Sequence, residues 1–252
     1  MASYMHIDVL LLERLSANGS LQAGIYAQAV RLYDAYAIYP YLVSTLLLPI
    51  FGRMLKQRVA MGEFTGFAFG AVMVPSIAVA LPTMCFGQPL MELLYVAHSA
   101  ESAQALSLLM EAYICLSVSY VLGTLLTAHG AIRQLNWLSV GAVVLSIALQ
   151  LVLVPWLGVT GAAAGRVAVF GAVAIAQAVI CLRLWPMRPK ALDLLRYAAF
   201  VALAASACMA ISHYLPTIVG FTLSVGILLL LAIPLRIIKL RDLRLLLPTA
   251  NK

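Results

Sequence analysis

The sequence predicts an all-α fold: a polytopic transmembrane helix bundle of about eight spans. Hydrophobic residue types make up 64% of the 252 residues and charged types only 10%, whereas soluble domains average about 45–50% and about 25%. So little polar surface cannot cover a water-soluble domain of this size. Long apolar stretches alternate with short polar connections, and each span requires about 20 apolar residues.

The predicted spans follow one another with few interruptions. The first, residues 1–15, is barely long enough to cross a bilayer core of about 30 Å at about 1.5 Å per residue. A turn rich in small polar residues follows it. In the sixth span, Gly161 and Gly165 form a GxxxG spacing, which favours close helix packing. The remaining spans are predicted at residues 23–52, 64–87, 103–128, 134–154, 159–185, 193–213 and 217–238.

The basic residues support this topology. Of the 16 Lys and Arg residues, all but three lie in every second connection or in the C-terminal tail, which indicates that these segments are cytoplasmic. The tail alternates basic and apolar residues, as is typical of a helix lying on an anionic inner leaflet. The net charge of +7 is therefore assigned to topology rather than to nucleic-acid binding. The cytoplasmic set is Arg53, Lys56, Arg58, Arg133, Arg183, Arg188, Lys190, Arg196, Arg236, Lys239, Arg241, Arg244 and Lys252.

Charged residues inside spans are the candidate functional groups, because each costs at least about 2.5–3.5 kcal/mol to insert. Arg31 and Asp34 are three residues apart, so they share a helix face and could form a pair. Asp8 lies in the first span. Arg166 lies in the sixth, where it could line a polar cavity or extend to the membrane interface. Glu111 is expected to be hydrated near the outer end of the fourth span.

Other residue types indicate no chemistry. His6, two residues before Asp8, could titrate, but a structural role is the simpler interpretation. Four cysteines lie in apolar segments without a metal or redox spacing, so they are interpreted as buried apolar groups. No nucleophile–base pair, metal cluster or phosphate-binding glycine loop is present, so we expect neither enzymatic activity nor a cofactor. The cysteines are Cys85, Cys115, Cys181 and Cys208.

Three segments together are similar to a known family. These are YMHID at residues 4–8, GIYAQAVRLYD at 24–34 running on to LLLPIFGRML at 46–55, and LGVTGAAAGRVAV at 157–169. They resemble the C-terminal half of the bacterial polysaccharide flippases of the multidrug/oligosaccharidyl-lipid/polysaccharide exporter superfamily. Gly24, Tyr26, Ala29, Arg31 and Pro49 follow the family's order, whereas His6 stands where the family usually has a basic residue.

The resemblance implies an alternating-access transporter of the bacterial inner membrane. Its substrate would be an undecaprenyl-diphosphate-linked oligosaccharide for O-antigen, capsule or exopolysaccharide synthesis. Cationic cavity residues, Arg31 above all, would bind the diphosphate, with Tyr26 as a further cavity candidate. Residues 1–186 would form one six-helix lobe with its first helix truncated, residues 187–240 two terminal helices, and residues 241–252 a basic cytoplasmic tail.

Two other interpretations stay open. Family members are roughly twice as long, so this chain would lack the N-terminal lobe and could need a second half, because such transporters place the site between two repeats. A lone lobe could also be a non-transporting membrane protein. Alternatively, Asp8 and Asp34 could be the coupling carboxylates of a cation-coupled multidrug exporter.

Overall fold

The computed structural model describes residues 7–16, 18–57, 62–185, 191–214 and 216–231. Within these ranges all the regular structure is helical, so the predicted all-α fold is confirmed. Residues 1–6 and 232–252, which include His6 and the basic tail, lie outside the described residues. The helices are α1 (Ile7–Leu15), α2 (Gly19–Lys56), α3 (Gly62–Cys85), α4 (Gly87–Leu94), α5 (Ser99–His129), α6 (Ile132–Leu184), α7 (Ala191–Tyr214) and α8 (Thr217–Leu231).

Four described helical segments are long and apolar enough to cross a membrane: Gly19–Lys56, Phe64–Cys85, Ser99–His129 and Ile132–Leu184. Two shorter apolar segments, Arg196–Ser212 and Thr217–Leu231, follow. These long apolar helices indicate a membrane protein. The count of eight spans and the cytoplasmic placement of the C-terminus stay predictions.

Helix α6 contains both the fifth and the sixth predicted spans. Its 53 residues are interrupted at Gly158, whose φ of 57° and ψ of −128° are not helical. Residues on the two sides of Gly158 meet, since the side-chain amide of Gln150 donates to the carbonyl of Ala162 at 3.2 Å. Ala142 and Val173, farther from the interruption, are buried in one cluster. Residues 132–157 and 159–184 therefore form two antiparallel limbs of a helical hairpin.

The close packing predicted for Gly161 and Gly165 is found inside this hairpin. A Cβ atom on Gly161 would collide with the backbone carbonyl of Leu153 in the opposite limb. A Cβ atom on Gly165 would lie 3.1 Å from the side-chain nitrogen of Gln150. The glycines thus allow the two limbs to approach each other, as expected of this spacing in membrane helices.

Exposed apolar side chains cover the first limb of α6. Trp137 and Trp156 are 69% and 87% exposed. Their positions in the sequence place them about 28 Å apart along the helix, at about 1.5 Å per residue. That separation is close to the thickness of a bilayer core, and tryptophan is enriched at both membrane interfaces. The limb therefore has the length and the surface of a lipid-facing span.

The core forms around α5, which packs against α2, α3, α4 and α6. Helix α1 packs against α2 and α6. Helices α7 and α8 pack against each other and against α3. This arrangement brings α1, α2 and the second limb of α6 together, and the candidate site lies where they meet. The division into a lobe of residues 1–186, two terminal helices and a tail stays a prediction.

Candidate functional site

A buried ion pair joins α1 to the second limb of α6. The Arg166 Nη2 atom lies 2.8 Å from the Asp8 Oδ2 atom, and the two side chains are 5% and 4% exposed. The backbone amide of Val9 donates to the Asp8 Oδ1 atom at 3.0 Å. A buried charge is very unfavourable unless it is paired and hydrogen-bonded, and each of these residues supplies the other with an opposite charge.

Two tyrosines of α2 complete the surroundings of the pair. The hydroxyl of Tyr26 donates to the Asp8 Oδ2 atom at 2.6 Å. The Arg166 guanidinium carbon lies 5.8 Å from the Tyr26 ring centroid and 5.0 Å from that of Tyr33, within the range of cation–π attraction. Tyr26 and Tyr33 are two helical turns apart, so they face the same side of α2. The Tyr33 hydroxyl is buried with no hydrogen-bond partner among the described residues.

The aromatic contacts continue from Tyr33 to the central helix α5. The rings of Tyr33 and Tyr113 meet edge to face with centroids 6.5 Å apart, and Tyr36 lies 6.3 Å from Tyr113. One turn farther along α5, the hydroxyl of Ser117 donates to that of Ser76 in α3 at 3.0 Å. Buried polar and aromatic contacts therefore link the ion pair to the centre of the bundle.

Arg31, by contrast, is exposed on α2. It forms no salt bridge with any described residue, so the pair with Asp34 that the spacing suggested is not formed. Asp34 is half-buried and lies close enough to Arg166 to interact favourably with its charge. The six predicted cavity residues are thus not all brought together, because Asp8, Tyr26 and Arg166 form one cluster and Arg31 lies outside it.

The placement of the other charged candidates is simpler. Arg166 is 6% exposed, so the interpretation that it extends to the membrane interface is wrong: its charge is neutralised by Asp8 inside the bundle. Glu111 is exposed on α5, and its hydration stays a prediction. Sequence reasoning missed Tyr33, although its position two turns after Tyr26 was an available signal.

Metal binding has no support in the part of the chain that the structure describes, where no three His, Cys, Asp or Glu side chains are grouped suitably. The chain matches no protein-family model, no curated protein and no solved structure. Fold and site define an α-helical membrane protein with a neutralised ion pair at the junction of three helices.

Proposed function

We propose that this chain is a component of a flippase that moves an undecaprenyl-diphosphate-linked oligosaccharide across the bacterial inner membrane. The resemblance of its motifs to the polysaccharide flippases suggests this function. The observation that supports it best is the exposed position of Arg31 within the long apolar helix α2.

The depth of Arg31 follows from its neighbours. A Cβ atom on Gly158 would contact the Gln22 side chain, so the apex of the α6 hairpin lies level with the start of α2. From that level, Arg31 lies about 13 Å along α2 and Arg166 about 12 Å along α6, at about 1.5 Å per residue. Trp156 lies only about 3 Å from the apex by the same rule. Arg31 is therefore about 10 Å farther from the hairpin apex than Trp156, the tryptophan that we place at the outer interface.

A guanidinium exposed at this depth requires an anionic partner, because a charge in the apolar layer is unfavourable. The diphosphate of a lipid-linked sugar is chemically suited to this role. Its oxygens accept paired hydrogen bonds from the planar guanidinium, and such charge-assisted bonds are about twice as strong as neutral ones. Arg166 is not available to bind a diphosphate, because Asp8 already neutralises its charge.

The same geometry weakens the alternative of a cation-coupled exporter. A coupling carboxylate must exchange a proton or a metal ion, whereas Asp8 is occupied by Arg166 and Tyr26. The exposed side of α2 supports a flippase with two halves, in which a second lobe or half-transporter closes the cavity around Arg31.

The test is export of polysaccharide in a flippase-null strain that expresses this chain, alone or together with an N-terminal lobe. We expect Arg31→Ala to abolish the restored export and Arg31→Lys to retain part of it. Arg14→Ala is the matched control, because Arg14 is also an exposed arginine but lies in the last turn of the short helix α1. The three variants should reach the membrane in equal amounts.

Binding of a short-chain polyprenyl diphosphate to the purified protein provides a second measurement. Loss of one hydrogen-bonded charge of about 1.5–3 kcal/mol predicts binding that is roughly 10- to 100-fold weaker in Arg31→Ala. Restored export that is unaffected by Arg31→Ala would reject the site. Absence of export in both expression formats, together with absence of diphosphate binding, would reject the function.

A further inference from the structure

Two cysteines lie together where α3 meets α7. Cys85, the last residue of α3, is partly exposed, and Cys208 in α7 is fully buried. Both belong to one apolar cluster, in which Cys85 packs against the buried group that contains Cys208. The other two cysteines, Cys115 and Cys181, lie in α5 and α6 and belong to different clusters.

The packing around this thiol pair holds α7 and α8 in place. Ala78 of α3, Ala204 of α7 and Leu228 of α8 are buried in the same cluster as Cys208. Next to Cys85, the ring of Phe86 lies so close to Gly220 of α8 that a Cβ atom there would be 2.7 Å from it. Helices α7 and α8 therefore pack against α3 beside the two thiols. A disulfide between these thiols would fix the position of α7 and α8 relative to α3.

We propose that Cys85 and Cys208 form a reversible disulfide that fastens the pair α7–α8 to α3. The thiolate of Cys85, which is the more accessible partner, attacks one sulfur of a disulfide-bearing oxidant and releases its first thiol. Cys208 then attacks the mixed disulfide, and the second thiol leaves. Overall, two cysteine thiols lose two electrons and two protons to one oxidant disulfide, which is reduced to two thiols.

The position of the pair in the bundle suits this chemistry. Cys85 lies at the end of α3, whereas α3 begins shortly after the last turn of α2, which carries Arg53 and Lys56. If that basic end of α2 is cytoplasmic, as predicted, Cys85 lies toward the opposite side of the membrane, where disulfides persist. The inference does not depend on the proposed transport function, since it uses only the packing of α3, α7 and α8.

The experiment counts free thiols in the purified full-length chain before and after treatment with oxidised glutathione. We expect a decrease from four thiols to two, reversed by a reductant, and a crosslinked peptide pair containing Cys85 and Cys208 in mass spectrometry. Oxidised protein should also unfold at a higher temperature than reduced protein, because the bond closes a loop of more than 120 residues in the unfolded chain.

Single serine variants identify the bonded pair. Cys85→Ser and Cys208→Ser should each keep all three remaining thiols through oxidation. The control variants Cys115→Ser and Cys181→Ser should each lose two of three. The proposal would be overturned if the wild-type chain kept all four thiols after oxidation. It would also be overturned if a disulfide formed in Cys85→Ser. The first test uses the wild-type chain alone, so it does not depend on the folding of any variant.

Discussion

The buried pair of Asp8 and Arg166 should behave as a structural unit. Replacing Arg166 by Met keeps most of the side-chain length but leaves the Asp8 carboxylate buried without its cation. Surface ion pairs contribute only about 0–1 kcal/mol, whereas breaking a buried pair costs about 3–5 kcal/mol. Since both side chains are about 95% buried and 2.8 Å apart, the larger range applies. We therefore expect Arg166→Met to lower the free energy of unfolding by about 3–5 kcal/mol.

The assay is unfolding in mixed micelles titrated with a denaturing detergent, followed by the circular dichroism of the helices. Asp8→Asn should have an effect of similar size, and the double variant should be less destabilised than the sum of the single variants, because it leaves no uncompensated charge. Glu111→Gln is the control, since Glu111 is exposed. A loss below about 1 kcal/mol for Arg166→Met, or strict additivity in the double variant, would refute this account of the pair.

Two further predictions concern the α6 hairpin and use the same unfolding assay. Gly161→Ala forces a methyl group against the Leu153 carbonyl and should lower the free energy of unfolding by about 1–3 kcal/mol. The control is Gly171→Ala, where the added methyl group meets open space and should be neutral or slightly stabilising. Equal effects of the two variants would contradict the close approach of the two α6 limbs. Gly158→Ala places a side chain on a backbone with φ of 57° and ψ of −128°, and should cost about 1–3 kcal/mol. If Gly158→Ala were as stable as the wild type, the turn at Gly158 would be contradicted.

Much of the helical architecture could be predicted from the sequence, because a bilayer fixes the length of an apolar span. The span predicted at residues 103–128 corresponds to α5 (Ser99–His129), and that at 64–87 to α3 (Gly62–Cys85). Helix α4 (Gly87–Leu94) was missed and fell in a predicted connection. Its eight residues are too few to show an apolar span.

The candidate site was predictable only as a set of residues. A charge inside an apolar span stands out in the sequence, so Asp8, Arg31 and Arg166 could all be identified. Their partners could not be, because helices that are apolar nearly all round show no periodicity that separates a buried face from an exposed one. Which arginine meets Asp8 depends on the packing of α1 against α6, a contact between residues more than 150 positions apart.

The two intramembrane arginines should therefore fail in different ways when they are replaced. By residue count they lie at nearly the same distance from the apex of the α6 hairpin, but Arg166 is neutralised inside the bundle and Arg31 is exposed. Loss of Arg166 removes a contact that holds three helices together, so its main effect should be on stability. Loss of Arg31 removes no described salt bridge, so a stable protein that no longer binds a diphosphate is the expected result. If instead Arg31→Ala unfolds the protein while Arg166→Met leaves it stable, the assignment of structural and binding roles to these two residues must be reversed.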